Sequence, residues 1–227
     1  MQRPLIGVLA GLAGVDRLIS RGETVPRHDY HCPLLSLPFA FRTRLESIPA
    51  PVPYLHADPT EVARWRAVVR AGGGLNIGLA WSGNALYKND RRRSMPLDKL
   101  LAALPGEASY WSLQKEISAP DRALMEKVGR IGLFDANDFV NTAAQISLMD
   151  AVVCVDTSVG HLAAALGKPT FILLSHSADW RWMGSRTDSP WYPNVVLVRQ
   201  TARGDWEPVL EEVAARISHL AHADSRV

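Results

Sequence analysis

The chain has 227 residues, 47% of them hydrophobic, with 25 lysines and arginines against 23 aspartates and glutamates and a formal net charge of +2. A chain of this size buries a substantial core, and near-balanced charge argues against bulk nucleic-acid or membrane binding, while leaving room for a local basic cluster that serves a phosphate. Cys32 and Cys154 give neither a disulfide framework nor a metal-ligand spacing, and the 7 histidines lack the paired helical spacing of a zinc site. The default expectation is a soluble α/β protein in a reducing, cytoplasmic setting, with no stretch approaching the ~20 apolar residues of a membrane span.

Leu5 to Gly14 has two readings: the apolar core of a short signal peptide, or a short helix ending at Gly11 or Gly14 and followed by a strand, Asp16 to Ser20. Tyr30 to Pro59 holds Pro33, Pro38, Pro49, Pro51, Pro53 and Pro59, a density that permits only short strands, turns and extended connections. Within it, His31 to Pro38 reads as a buried strand leading into a turn. Asp58-Pro59 opens a helix through Arg70 with Val62, Trp65, Val68 and Val69 on its apolar face. Gly72-Gly73-Gly74 precedes a strand rather than a helix, so it reads as a hinge and not a phosphate loop; a domain boundary is placed near Ala71.

A second domain opens with strand Leu75 to Trp81 and a polar loop, Ser82 to Ser94, carrying Lys88, Arg91, Arg92 and Arg93. A βα loop beyond the carboxyl end of a parallel strand faces the ligand, although a charge cluster alone is equally well read as solvated surface. Pro96 starts a helix through Leu104 with Leu97, Leu100, Leu101 and Leu104 on one face. Ala108 to Leu113 is the next strand, with Gln114, Lys115 and Glu116 at its carboxyl end; Gln114 or Glu116 suits a ribose, and Lys115 with Glu116 suits an exposed loop pair. Helix Asp121 to Val128, strand Ile131 to Phe134, a loop from Asp135 to Phe139 and helix Asn141 to Met149 follow.

The central stretch, Val152 to Leu174, reads as strand, polar turn, Ala/Leu helix, stop signal and strand: one βαβ unit. Gly167-Lys168 comes after the helix and before Pro169, so it is a helix stop and not a P-loop, and no Gly-x-Gly-x-x-Gly follows either strand. The ligand side of such a unit is the strand's carboxyl end, here Asp156, Thr157, Ser158, Gly160 and His161, where free helix N–H groups favour a phosphate. Asp156 has three available tasks: capping the helix, bonding donor hydroxyls, or orienting His161. His161 is either a donor to a phosphate or sugar oxygen or a buried histidine satisfied by the backbone. The loop Ser175 to Trp182 lies at another strand's carboxyl end: Trp180 or Trp182 suits a sugar face and Arg181 a phosphate, and such a Trp-rich loop equally suits sealing a domain edge. Strand Val195 to Val198 and helix Trp206 to Leu220, capped by Asp205, close the chain, with a frayed tail.

Val155-Asp156-Thr157, Gly160-His161-Leu162 and Ala165 to Pro169, together with Leu79 to Asn84, Lys88 to Arg91, Arg93 to Leu97, Ser112 to Lys115, Asp179 to Trp182 and Asp188 to Pro193, resemble the nucleotide-sugar half of GT-B glycosyltransferases. The similarity is to the heptosyltransferase-like group, family 9, and to the C-terminal domains of bacterial tetratricopeptide-repeat glycosyltransferases. It implies a GT-B-like α/β fold: a partial N-terminal, acceptor-side lobe over residues 1–70 and a complete Rossmann-like donor domain over 75–220. It also implies that a nucleotide-diphosphate sugar is bound and its sugar passed to an acceptor glycan, lipid or protein. Arg93, three positions before Pro96, matches the family's basic phosphate contact. Lys88, Gln114, Asp156, Thr157, Ser158, Gly160 and His161 complete the expected donor site, and Phe139, near the loop where the family holds the base, is either a stacking platform for it or a core phenylalanine. No Asp-x-Asp pair occurs, so transfer without a metal or other cofactor is expected. The family supplies its catalytic base from a segment that would precede Met1; poor transfer by this chain alone, self-association or a partner segment are expectations on that account. A sugar-nucleotide epimerase or hydrolase, or a non-catalytic binding or interaction module, are the alternative functions.

Overall fold

The computed structural model describes residues 1–69, 74–84, 86 and 90–224. Six strands form one all-parallel sheet: β1 (Leu75–Ala80), β2 (Ala108–Ser112), β3 (Ile131–Gly132), β4 (Ala151–Val155), β5 (Thr170–Leu174) and β6 (Val195–Arg199). Their spatial order is β3-β2-β1-β4-β5-β6, the doubly wound arrangement. After β3 the chain crosses back to lay β4 on the other side of β1, pairing Ile77 with Ala151 and Ala80 with Cys154. The carboxyl ends of β1 and β4 therefore flank the switch point where such sheets hold ligands.

Helices cover both faces of the sheet: α5 (Leu97–Ala103), α6 (Ala119–Val128) and α9 (Glu207–Asp224) on one, α7 (Phe139–Ser147) and α8 (Ser158–Ala165) on the other. Every residue of β4 is buried, yet its side chains still alternate between the two cores. Val153 and Val155 pack with Leu97, Leu100, Val209 and Ile217, whereas Val152 and Cys154 pack with Ile146, Ala163 and Ala164. Local chemistry sets the helix ends. Ser118 accepts from the Asp121 N–H at 3.2 Å, Asp138 caps α7 by accepting from Val140 and Asn141, and Gly167, at φ 79°, ends the α8 segment as the sequence indicates.

The first 69 residues differ from expectation. Asp16 to Ser20 is irregular and not a strand: Ile19 O accepts from the terminal amine at 2.7 Å and the Arg21 N–H donates to Met1 O at 2.8 Å, with no neighbouring strand among the described residues. His31 to Pro38 is not a strand either. It forms a 3-10 turn, Leu34–Ser36, running into α2 (Leu37–Ala40), because Pro38 fits the first helical turn and no sheet edge adjoins it. A short helix does form near the N-terminus, α1 (Ile6–Leu9), ending ahead of both Gly11 and Gly14. α3 (Pro59–Val69) also forms, with the Asp58 carboxylate accepting from the Thr60 N–H at 2.8 Å; it packs on α7, and Trp65 Nε1 donates to Asn141 at 3.0 Å. Val8, Leu55 and Val69 are buried in the same cluster as the sheet residues Val152 and Leu174. Of the hinge assigned to Gly72-Gly73-Gly74, Gly72 and Gly73 lie outside the described residues, and Gly74 has φ 96°. At the other end α9 runs past Leu220 to Asp224, beyond the expected fraying point.

Candidate functional site

Beyond the carboxyl ends of β1, β4 and β5 lies a cleft of about 440 Å³ whose walls include Arg92, Arg93, Asp156, Thr157, Ser158, His161, Ser175, Ser177, Asp179 and Arg181. Five of the sequence-assigned residues, Arg93, Asp156, Thr157, Ser158 and His161, meet there although β1 and β4 are far apart in sequence. Thr157 stands at the N-cap of α8 in extended conformation and makes no side-chain cap bond, and its Oγ1 is buried without a partner. The helix thus opens onto the cleft with its positive end uncapped by that side chain.

Arg93 comes from α4 (Asp90–Arg93), in the loop after β1, and bridges to the α8 turn. Its Nε donates to Asp90 Oδ1 at 3.0 Å and its Nη1 to the Asp156 carbonyl at 2.8 Å. Asp156 supplies its carbonyl to this bridge, so the capping task proposed for it is not the one realised in these hydrogen bonds; its carboxylate lies near enough to His161 to act on that ring's ionisation.

His161 is half-buried, one turn into α8, stacked on Trp182 with ring centroids 5.0 Å apart and 20° between planes. Its Nδ1 lies 3.1 Å from the Tyr192 hydroxyl, so the partner is a side chain and not the backbone. Burial depresses its pKa below 6.5; Asp156 opposes this, Arg181 adds to it and Asp179 opposes it. At neutral pH the ring is uncharged, with one nitrogen a donor and the other an acceptor. Burial likewise raises the pKa of Tyr192, which contacts Tyr54. On the β5 side, the Asp179 carboxylate accepts from the Arg181 N–H at 3.0 Å and pairs with its guanidinium at 2.9 Å; that guanidinium lies 4.8 Å over the exposed Trp180 ring. Trp182 is in the core.

Other assigned residues fall elsewhere. Lys88 lies outside the described residues. Gln114 is buried with its amide clamped on the Ser82 backbone, accepting from the N–H at 3.1 Å and donating to the carbonyl at 2.9 Å, and it lines a separate pocket of about 100 Å³ at the carboxyl ends of β2 and β3. Gly160 faces the sheet: a Cβ there would come within 2.9 Å of Cys154 Sγ. Its hydrogen atom keeps α8 close to β4. Phe139 packs against the core. Ser175, Ser177, Asp179 and Arg181 line the cleft from the loop after β5, which the sequence places at a strand's carboxyl end while singling out only Arg181 and the tryptophans. Tyr192 gives no local signal, being 31 positions from the ring it touches.

The cleft pairs two kinds of chemistry. Arg93, Arg181 and the α8 terminus suit an anion, and Asp156, Asp179 and the serine hydroxyls suit a polyhydroxylated group.

The model of glycosyltransferase family 9 (heptosyltransferase) matches residues 124–208, a span that includes the whole α8 turn and the β5 loop. Protein FlbA of Caulobacter vibrioides is 28% identical over 207 residues, covering 88% of this chain and 34% of FlbA. Among solved structures, Escherichia coli ADP-heptose lps heptosyltransferase II superposes with a TM-score of 0.53 at 15% identity, over 79% of this chain and 57% of that one. The chain thus spans about a third of FlbA and just over half of the heptosyltransferase. These findings bear out the family resemblance and the GT-B-like α/β fold read from the sequence.

Proposed function

We propose that this chain is the donor-binding half of a glycosyltransferase, holding a nucleotide-diphosphate sugar in the cleft between the β1, β4 and β5 loops. The observation that carries the reading is the bridge from Arg93 to the Asp156 carbonyl, which sets a cation beside the side-chain-uncapped α8 terminus in one cleft. A diphosphate placed there meets a guanidinium and backbone N–H groups together. In transfer, the bond from the sugar's anomeric carbon to the diphosphate breaks as a bond to the acceptor oxygen forms; the electron pair leaves with the diphosphate and the acceptor proton passes to a base. Arg93 and the helix terminus stabilise the charge that grows on the leaving group. His161 offers a neutral ring to the same oxygens or to a sugar hydroxyl. The family match over 124–208 supports sugar transfer as the reaction class.

Metal-independent donor binding goes with this reading, since no Asp-x-Asp pair is present to bridge a cation to a diphosphate. Calorimetry with UDP, ADP and GDP tests it: at least one is expected to bind at sub-millimolar concentration with EDTA present. Silence from all three at millimolar concentration, or binding that EDTA abolishes, would overturn it.

A further inference from the structure

Arg93 is held by more than its charge. Asp90, in the same short turn, is buried, with one carboxylate oxygen accepting from Arg93 Nε at 3.0 Å and the other from the Ser94 hydroxyl at 2.8 Å. The Ser94 oxygen in turn accepts from the Gly83 N–H at 3.1 Å. Gly83 closes the ring sterically: a Cβ built there would overlap both Arg93 Nη2 and Asp90 Oδ1. Its φ is not in the left-handed region, so the space and not the backbone demands glycine. The main chain of Ser82, next to Gly83, is fixed by the Gln114 amide, and the Met95 N–H donates to the Trp81 carbonyl at 2.8 Å.

From this we infer that Asp90, Ser94 and Gly83 form a positioning device for the Arg93 guanidinium, aiming it across the switch point at the anion-binding end of α8. A free arginine side chain loses rotamer entropy when it grips an anion, and a guanidinium already fixed at Nε and Nη1 has lost most of it. The burial of Asp90 has a reason on this reading: an exposed carboxylate would compete with the ligand for the guanidinium, whereas one tucked behind Nε holds the group from the side away from the cleft. Asp90, Ser94 and Gly83 act through Arg93 and need touch no ligand themselves. The inference rests on the diphosphate reading of the cleft.

The test is a double-mutant cycle in the full 227-residue chain, reading affinity for whichever of UDP, ADP and GDP binds the unsubstituted protein best. Asp90→Asn and Gly83→Ala are each expected to weaken binding about tenfold in the Arg93 background, and each by less than about twofold once Arg93→Ala is present, because interacting residues couple and independent ones add. Affinity for the parent nucleoside, which lacks the diphosphate, should not change in any variant. Equal losses in both backgrounds, or a loss that extends to the nucleoside, would show that the cluster supports the loop and does not aim the arginine, and would overturn the inference. Unchanged binding in both single variants would overturn it too. If the unsubstituted chain binds no nucleoside diphosphate, the reading of the cleft fails and this inference fails with it; the coupling outcomes can overturn the inference alone.

Discussion

His161 and Arg93 meet in one cleft by different routes, and their substitutions should separate accordingly. Arg93→Ala removes a charge-assisted donor, a change worth about 1.5–3 kcal/mol, or roughly 10–150-fold in affinity for a nucleoside diphosphate. It leaves the buried Asp90 carboxylate without its Nε partner, so some loss of melting temperature is expected, smaller than the loss of binding. His161→Ala should also weaken binding more than it destabilises; a large fall in melting temperature with unchanged affinity would mark the ring as packing against Trp182 and nothing more. The depressed pKa of His161 has a definite sign. Between its folded value and 6.5 the unfolded chain carries the proton and the folded chain does not, so stability falls as pH drops below 6.5 and levels off beneath the folded value. Asp138, whose pKa the Asn141 N–H lowers below 3.8, gives stability that is lost only as pH falls through the carboxylate range, a separate window. Melting temperature measured from pH 7.5 to 5.0 should decline in the unsubstituted chain and decline less in His161→Gln. Equal slopes would assign the decline to other groups.

At the scale of elements, the sheet-bearing part of the chain was legible because its signals are local. Asp138 before α7, Ser118 before α6 and Gly167 after α8 are one-residue cues, and the buried β-branched run of β4 can be placed without knowing its neighbours. The position of Asp156, Thr157, Ser158 and His161 at the cleft was legible for the same reason, because they follow the end of β4. The strands expected at Asp16 and His31 failed where locality fails: an apolar run becomes a strand only if a partner lies alongside, and nothing within those segments reports one. Gly160 shows the complementary error, a glycine in a site motif whose work is packing. Adding a methyl group there presses on Cys154 Sγ, and overpacking of this kind costs about 1–3 kcal/mol. Gly160→Ala should therefore lower stability to urea, and Cys154→Ala in the same chain should restore part of the loss by vacating that space. Additive losses from the two changes would mean that the helix and strand do not meet through this pair.

For the whole molecule the open issue is whether residues 1–70 and 75–220 are two units or one. The N-terminal 69 residues contain no strand among the described residues and no separate core; Val8, Leu55 and Val69 are buried among side chains of the sheet, α7 and α8. The segment also attaches through its backbone, since the Tyr54 and Leu55 N–H groups both donate to the Ala165 carbonyl, at 3.1 and 3.2 Å. Yet Tyr30, Leu34, Leu35, Phe39 and Phe41 of the same segment are 77–93% exposed, so its two faces have opposite energetic weight. A segment anchored in another unit's core unfolds with that unit, which predicts one cooperative denaturation transition for the chain. Leu55→Ala should move that entire transition, by about 2–5 kcal/mol for a buried leucine, whereas Leu35→Ser and Phe39→Ser should leave it within about 0.5 kcal/mol and reduce binding of an apolar dye. Two resolved transitions, with Leu55→Ala shifting only the smaller, would instead restore a domain boundary near residue 71 and make the apolar contact through Val8 and Leu55 an interface between separately folded parts.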